Sequence, residues 1–294
     1  MTSLGAPSEV APLGVVLVKR VRDAWPDESA LDTWRELNYT RRPDLARAHA
    51  ESEAFLAVLR GAGAELIELP RDASVGLDSL YARDAAIECA RGLILCNMSK
   101  DARRTEPAAL ERTLTARGIP IHGRITDEGR VEGGDVVWLV PGVPAVGRGY
   151  RTNEAGIAQL ARLLRDELEE LIVVPLPHWR GPNDVFHLMS IISPLDRDLA
   201  LVYEPLLPVP FRERLLALGF TLVGVPDEEF ASLGCNALAV APRRIVMIAG
   251  NPETRRRLEA AGCIVTEVAG QEICVTGGGG PTCLTRPLTR RAKG

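Results

Sequence analysis

The sequence predicts an α/β fold made of about five copies of one ββαβ unit, each roughly 50 residues long, in a propeller-like or stacked arrangement whose chain ends close a ring. Three observations carry this expectation. Short apolar strands alternate with amphipathic helices along the chain. Each segment keeps one internal order of strand, turn, strand, helix, strand. The first unit lacks a front strand, and the last apolar run, Cys283–Pro287, is left over to supply it. Joining the chain ends in this way removes exposed strand edges. The competing expectation is a generic α/β chain with alternating elements; the shared internal order favours the ring.

The elements follow in chain order. Residues 1–12 read as a disordered tail ahead of a single catalytic domain spanning 1–294. The opening unit has a strand at Val15–Lys19, a helix from Pro43 to Leu59 and a strand at Glu65–Glu68. The polar stretch Arg20–Asn38, with its Trp and Pro residues, is placed as a loop over the channel. The second unit is looser: strands Tyr81–Ile87 and Leu93–Met98, a helix from Glu106 to Ala116, and Ile119–His122. In the third, Pro141-Gly142 turns the chain between Val136–Val140 and Ala145–Gly149. Asn153 caps a helix running to Glu169, and Leu171–Val174 follows. In the fourth, Phe186–Ile192 and Leu199–Tyr203 flank Ser193–Arg197; Pro210 opens a helix to Leu218, and Phe220–Val225 closes the unit. In the fifth, Ala237–Ala241 and Ile245–Ala249 flank Pro242-Arg243-Arg244. Asn251-Pro252-Glu253 then starts a helix to Ala261, and Cys263–Val268 ends it.

Composition narrows the function. With 46% hydrophobic and 25% charged residues, the chain has material for a large core. A net charge of −4 argues against a nucleic-acid partner, which favours basic surfaces. The start lacks the basic and apolar regions of a signal peptide, and no apolar run is long enough to span a bilayer, so no membrane partner is expected. The six cysteines form no CxxC pair, which removes metal spacing and a disulfide framework and points to a reducing cytoplasm.

The chemistry falls at repeat-equivalent places. Gly277-Gly278-Gly279-Gly280-Pro281-Thr282-Cys283 is a poor helix or strand interior and a good loop for presenting a thiol. Asp84, Glu132 and His187 each fall near the first strand of their unit, so in a ring they converge with Cys283. Singly, each has a plainer reading. A lone histidine in an apolar strand is more often a core residue, and Glu132 and Asp135 alone read as turn acids. Jointly, a thiol, an imidazole and carboxylates fit nucleophilic catalysis on a cationic substrate. His49, His122 and His178 read as structural or solvated.

Several motifs, taken in order, resemble one family. They are Asp78-Ser79-Leu80-Tyr81-Ala82-Arg83-Asp84, Glu132-Gly133-Gly134-Asp135, Arg148-Gly149-Tyr150-Arg151-Thr152-Asn153, His187-Leu188, Cys235-Asn236 and Gly279-Gly280-Pro281-Thr282-Cys283. Over nearly the whole chain, the sequence is similar to the pentein superfamily of guanidino-group-modifying enzymes, and most to its dimethylarginine dimethylaminohydrolases. The resemblance implies a five-bladed propeller with its active site in the central channel. It also implies hydrolysis of an Nω-substituted arginine to citrulline and an amine, with no cofactor or metal. Carried over by motif, Cys283 is the nucleophile, His187 the general acid and base, and Glu132 the carboxylate that orients it. Asp84 holds guanidino N–H groups, Arg151 and Arg103 grip the substrate carboxylate, and Asp78 takes the α-amino group.

Two departures bear on the substrate. Arginine deiminases in this superfamily carry an acid two residues after the histidine, where this chain has Met189. Arg83 precedes Asp84 where similar dimethylargininases often have an acid; strand alternation allows it to face away from the channel, whereas facing inward it would repel a guanidinium. The resemblance leaves three alternatives: an arginine deiminase, an amidinotransferase, or a non-catalytic binding module. Relatives are often homodimers, and no apolar patch in the sequence selects that state.

Overall fold

A computed structural model describes residues 4–182 and 186–291. Its strands form five sheets of three strands each. One sheet joins β3 (Ala86–Cys89), β4 (Gly92–Leu95) and β5 (Ile121–Arg124); the next joins β6 (Val136–Val140), β7 (Val143–Arg148) and β8 (Ile172–Pro175). A third joins β9 (Ile192–Asp196), β10 (Leu199–Val202) and β11 (Thr221–Gly224). A fourth joins β12 (Leu238–Ala241), β13 (Arg244–Ile248) and β14 (Ile264–Val268). In each, the first two strands pair antiparallel through a short turn, and the second and third pair parallel across a helix. The fifth sheet joins β15 (Thr285–Pro287), β1 (Val15–Val18) and β2 (Glu65–Glu68). Val16 there opposes Pro287, so the chain's end supplies the missing front strand of its beginning. Five sheets of one internal order fit a pseudo-fivefold arrangement.

Burial grades across each sheet. β4 and β10 are buried along their whole length, whereas the third strands β2, β5 and β11 are partly exposed. First and second strands therefore read as continuous apolar runs, and third strands as mixed ones. The crossover helices Glu106–Ala116, Glu154–Leu164 and Pro252–Ala260 lie where capping residues and Pro predict them. Asn153 accepts hydrogen bonds from Gly156 N and Arg130 N, both at 2.9 Å, fixing one helix start to the preceding loop.

Two expectations fail, and two more are shifted: the strand expected at Tyr81–Ile87 begins only at Ala86, and the helix expected to reach Glu169 ends at Leu164. Ser193–Arg197 is not a turn between strands; most of it belongs to β9. The segment Leu188–Ser190 just before it is a 3-10 turn rather than a strand. The Ser190 hydroxyl accepts a hydrogen bond from His187 N at 3.1 Å and closes that turn. Pro194 is tolerated because β9 is an edge strand. The disordered tail is the second failure: Glu9 and Val10 are buried, Leu4 N donates to Ala90 O, and Leu13 bridges Arg290. Met1–Ser3 lie outside the described residues. Arg20–Asn38 holds two short helical segments, Val21–Ala24 and Glu28–Leu31. No described helix is long and apolar enough to cross a membrane.

Candidate functional site

One position in each sheet comes just ahead of its first strand: Asp84 before β3, Glu132 before β6, His187 before β9, Asn236 before β12 and Cys283 before β15. Asp84, His187, Asn236 and Cys283 line one cavity of about 230 Å³, and fully buried Glu132 stands behind His187. The sequence reading singles out the thiol, imidazole and carboxylates of this set. It misses Asn236 as a site residue, although that residue has the same placement ahead of an apolar strand.

The glycine run is fixed rather than loose. Gly278 turns the chain at φ +74°, in the left-handed region. A Cβ on Gly280 would come within 2.4 Å of the Asn236 side chain, so the run packs directly on that amide. Asn236 Oδ1 accepts from Thr282 N at 3.1 Å and Thr282 Oγ1 at 2.9 Å; its Nδ2 donates to Cys283 Sγ at 3.5 Å. Burial raises the Cys283 pKa above its ordinary value, and the Asp84 charge adds to this. The Thr282 hydroxyl opposes both. These surroundings favour the thiol over the thiolate.

His187 is positioned from several directions. Its Nε2 lies 3.1 Å from Glu132 Oε2, and its Nδ1 lies 3.9 Å from Asp84 Oδ1. Gly134 packs on the ring: a Cβ there would sit 2.5 Å from His187 Nδ1 and 2.9 Å from Asp84 Oδ1. Asp135 is no simple turn acid. It accepts from Leu188 N at 2.9 Å and from Thr152 Oγ1 at 2.7 Å, tying the chain beside His187 to the chain beside Arg151. Burial pushes its pKa up to about 6.

Glu132 and Asp84 are both held charged. Glu132 Oε1 accepts from Ser99 N at 2.9 Å and Ser99 Oγ at 3.0 Å, while Oε2 meets His187 and an Arg151 ion pair. Burial alone would raise the Glu132 pKa. The Arg151 guanidinium and the His187 hydrogen bond outweigh it and hold the carboxyl well below the usual range. Asp84 is lowered in the same way: burial opposes ionisation, and His187 and Arg103 overcome it. Asp84 Oδ2 pairs with Arg103 Nη1 at 2.6 Å, and Oδ1 accepts from Gly134 N at 3.1 Å. Asp84, Glu132 and His187 place ligand atoms within 4.8 Å of one another, a spacing that suits a cation. The two adjoining guanidinium groups disfavour a divalent ion there.

The remaining predicted residues reach the cavity with changed partners. Arg103 bonds Glu106 through Nε and Nη2, both at 2.8 Å, besides its pair with Asp84. That leaves little of it free for a substrate carboxylate. Arg151 pairs with Glu132 through Nη2, and its Nε has no hydrogen-bond partner among the described residues. Asp78 is buried with Oδ1 unpartnered, and burial raises its pKa despite Arg103 and Lys100 nearby. Arg83 does not line the cavity. It is fully buried, with Nη2 2.6 Å from Glu9 and Nε 2.8 Å from the Met189 sulfur. The end of Arg20–Asn38 does line it, through Asn38. Of the other histidines, His122 meets Leu163 O and His178 meets Tyr150 Oη.

The model of the family described as arginine deiminase matches residues 78–219 and 211–290. An arginine deiminase of Rhodococcus erythropolis is 30% identical over 251 residues, covering 72% of this chain. The chain spans 60% of that relative's length. A solved structure of the dimethylarginine dimethylaminohydrolase DDAH from Pseudomonas aeruginosa, a mutant complexed with citrulline, is 25% identical. It superposes with a TM-score of 0.77 over 95% of this chain and 100% of that one. The N-terminal domain of ArgZ, a cyanobacterial arginine dihydrolase, shares the fold at 20% identity and a TM-score of 0.78 over 94% of this chain and 97% of that one. The matched segments take in Asp84, Glu132, His187, Asn236 and Cys283, and on that match the chain belongs to the arginine deiminase family of the pentein superfamily.

Proposed function

We propose that the chain is a single catalytic domain that hydrolyses an Nω-substituted arginine, of the methylated type, to citrulline and an amine. The observation that carries this reading is the convergence of Cys283, a His187–Glu132 pair and Asp84 at one cavity. A guanidinium is a poor electrophile, so its plane and charge have to be fixed before attack. Asp84, which lines the cavity, supplies a charge-assisted acceptor for it, and Glu132 adds its negative field from behind His187. The same positive charge offsets the field of Asp84 on the sulfur and lowers the Cys283 pKa, so the substrate activates its own nucleophile.

The steps balance without a redox partner. As the guanidinium binds, the Cys283 proton passes to His187, and the thiolate so formed adds to the guanidino carbon and gives a tetrahedral adduct. The C–N bond to the substituted nitrogen breaks as His187 delivers a proton to the leaving amine. A thiouronium remains on Cys283. His187 then takes a proton from water as the water adds to the same carbon. The C–S bond breaks, citrulline leaves, and the thiolate is regenerated.

Met189 supports the substituted substrate. It lines the cavity two residues after His187, where an acid would clamp a free guanidino nitrogen, and Phe186 and Leu233 add apolar wall. A second reading, deimination of arginine itself, is favoured by the relatives named arginine deiminase. Citrulline formation from Nω-methylarginine, Nω,Nω-dimethylarginine, arginine and agmatine separates the two, with Cys283→Ser as control. The expected result is a kcat/KM for a methylated arginine at least about tenfold above that for arginine, about 1.4 kcal/mol, and no turnover by the control. A preference for arginine would establish the deiminase reading instead, and turnover by Cys283→Ser would end both.

A further inference from the structure

Of the basic groups lining the cavity, Lys100 stands apart. Arg103 is taken up by Glu106 and Asp84, and Arg151 by Glu132. Arg180 is exposed beside Trp179. The Lys100 ammonium is shielded from solvent, yet has no hydrogen-bond partner among the described residues. An ammonium carries three N–H donors, and leaving a charged donor buried and unpaired is unfavourable by several kcal/mol on the order-of-magnitude scale for such groups. Groups of this kind in a cavity wall mark where a ligand completes the bonding.

The neighbouring polar atoms say which kind of ligand. Asp78 Oδ1 and Arg151 Nε, both buried and also unpartnered, belong to the same cavity. Two cations and one carboxylate with open valences complement a group that carries an anion next to an ammonium. An α-amino acid end has that pattern. We propose that Lys100 is a specificity-determining residue that receives the anionic group at the tail of the guanidino substrate, a carboxylate, and so selects amino-acid guanidines over guanidines without an anion. This rests on the guanidino reading above and extends it to a residue outside the family motifs.

The charge on Lys100 responds to its surroundings. Burial lowers its pKa to about 8; Arg151 and Arg103 push the same way, while Asp78 and Glu132 oppose. A bound carboxylate favours the charged form. Affinity for such a substrate is therefore full well below pH 8 and declines as the pH rises through it.

The test compares Lys100→Met and Lys100→Arg with the unmodified chain, on a methylated arginine and on agmatine. The expected result for Lys100→Met is a rise in KM for the amino acid at least about tenfold larger than any rise for agmatine, about 1.4 kcal/mol, with kcat changed much less. Lys100→Arg should restore most of the affinity. The alkaline rise in KM for the amino acid should vanish in Lys100→Met. Equal effects on both substrates, or none on either, would overturn the assignment. Calorimetric binding of arginine and agmatine to Cys283→Ser, with and without Lys100→Met, separates this proposal from the hydrolase reading. Selective loss of arginine binding supports Lys100 even if the unmodified chain turns over no guanidine. Unselective binding refutes the Lys100 role even in an active enzyme.

Discussion

His187→Ala is expected to lower kcat by about 10²- to 10⁴-fold with a small change in KM, the usual range for losing a positioned proton carrier. The imidazole would act twice, protonating the departing amine and then activating water. Either loss stalls turnover after the guanidinium has already docked at Asp84, in the field of Glu132. Docking itself needs little from His187, because Ser99, Arg151 and Arg103 hold those carboxylates independently. Steady-state kinetics on the substrate selected by the citrulline assay checks the split. A loss confined to KM would make His187 a binding residue and remove it from the proton path.

The second large effect is expected at Glu132, where catalysis and stability meet. Glu132→Gln removes the charge facing His187 and the guanidinium, and kcat/KM should fall by about 10²- to 10³-fold or more, the scale of losing one preorganised electrostatic contact. It also strands the buried Arg151 guanidinium, and breaking one side of a buried pair costs about 3–5 kcal/mol. The variant should therefore melt at a lower temperature. The double variant Glu132→Gln/Arg151→Met should recover much of the melting temperature and none of the activity. If stability and activity return together, Glu132 serves the fold rather than the reaction.

Much of this site is legible in the sequence because its residues occur at repeat-equivalent places. Short apolar runs and their turns mark each first strand, and Asp84, Glu132, His187 and Cys283 all fall at such a start. The strand supplied by the chain's end is equally legible, since β1 begins the chain without an antiparallel neighbour and Thr285–Pro287 remains unpaired otherwise. The fourth unit is not, because Leu188-Met189-Ser190 is as apolar as a strand. Its 3-10 turn is held by Ser190 Oγ accepting from His187 N and by Asp135, distant in sequence, accepting from Leu188 N.

The less legible parts depend on long-range partners. Glu9 lies in a stretch with the composition of a tail, and it is ordered by the buried Arg83, with the Arg286 and Arg290 charges nearby. Arg103 resembles a substrate clamp by motif, but Glu106 three residues later engages it first. Asn236 shows its role only once the glycine run folds onto its amide. Lys100 next to Asp101 reads as an ordinary surface pair. Its isolation in the cavity wall is a property of the packed chain alone.

The central claim is a covalent intermediate on one sulfur. The direct measurement is acid quenching of the protein during turnover of a methylated arginine, followed by mass spectrometry of the peptides. The account predicts that the peptide containing Cys283 gains the mass of the substrate less that of the departed amine, while Cys89, Cys96, Cys235, Cys263 and Cys274 stay unmodified. An unmodified Cys283 during steady turnover, or the adduct on another residue, would contradict it.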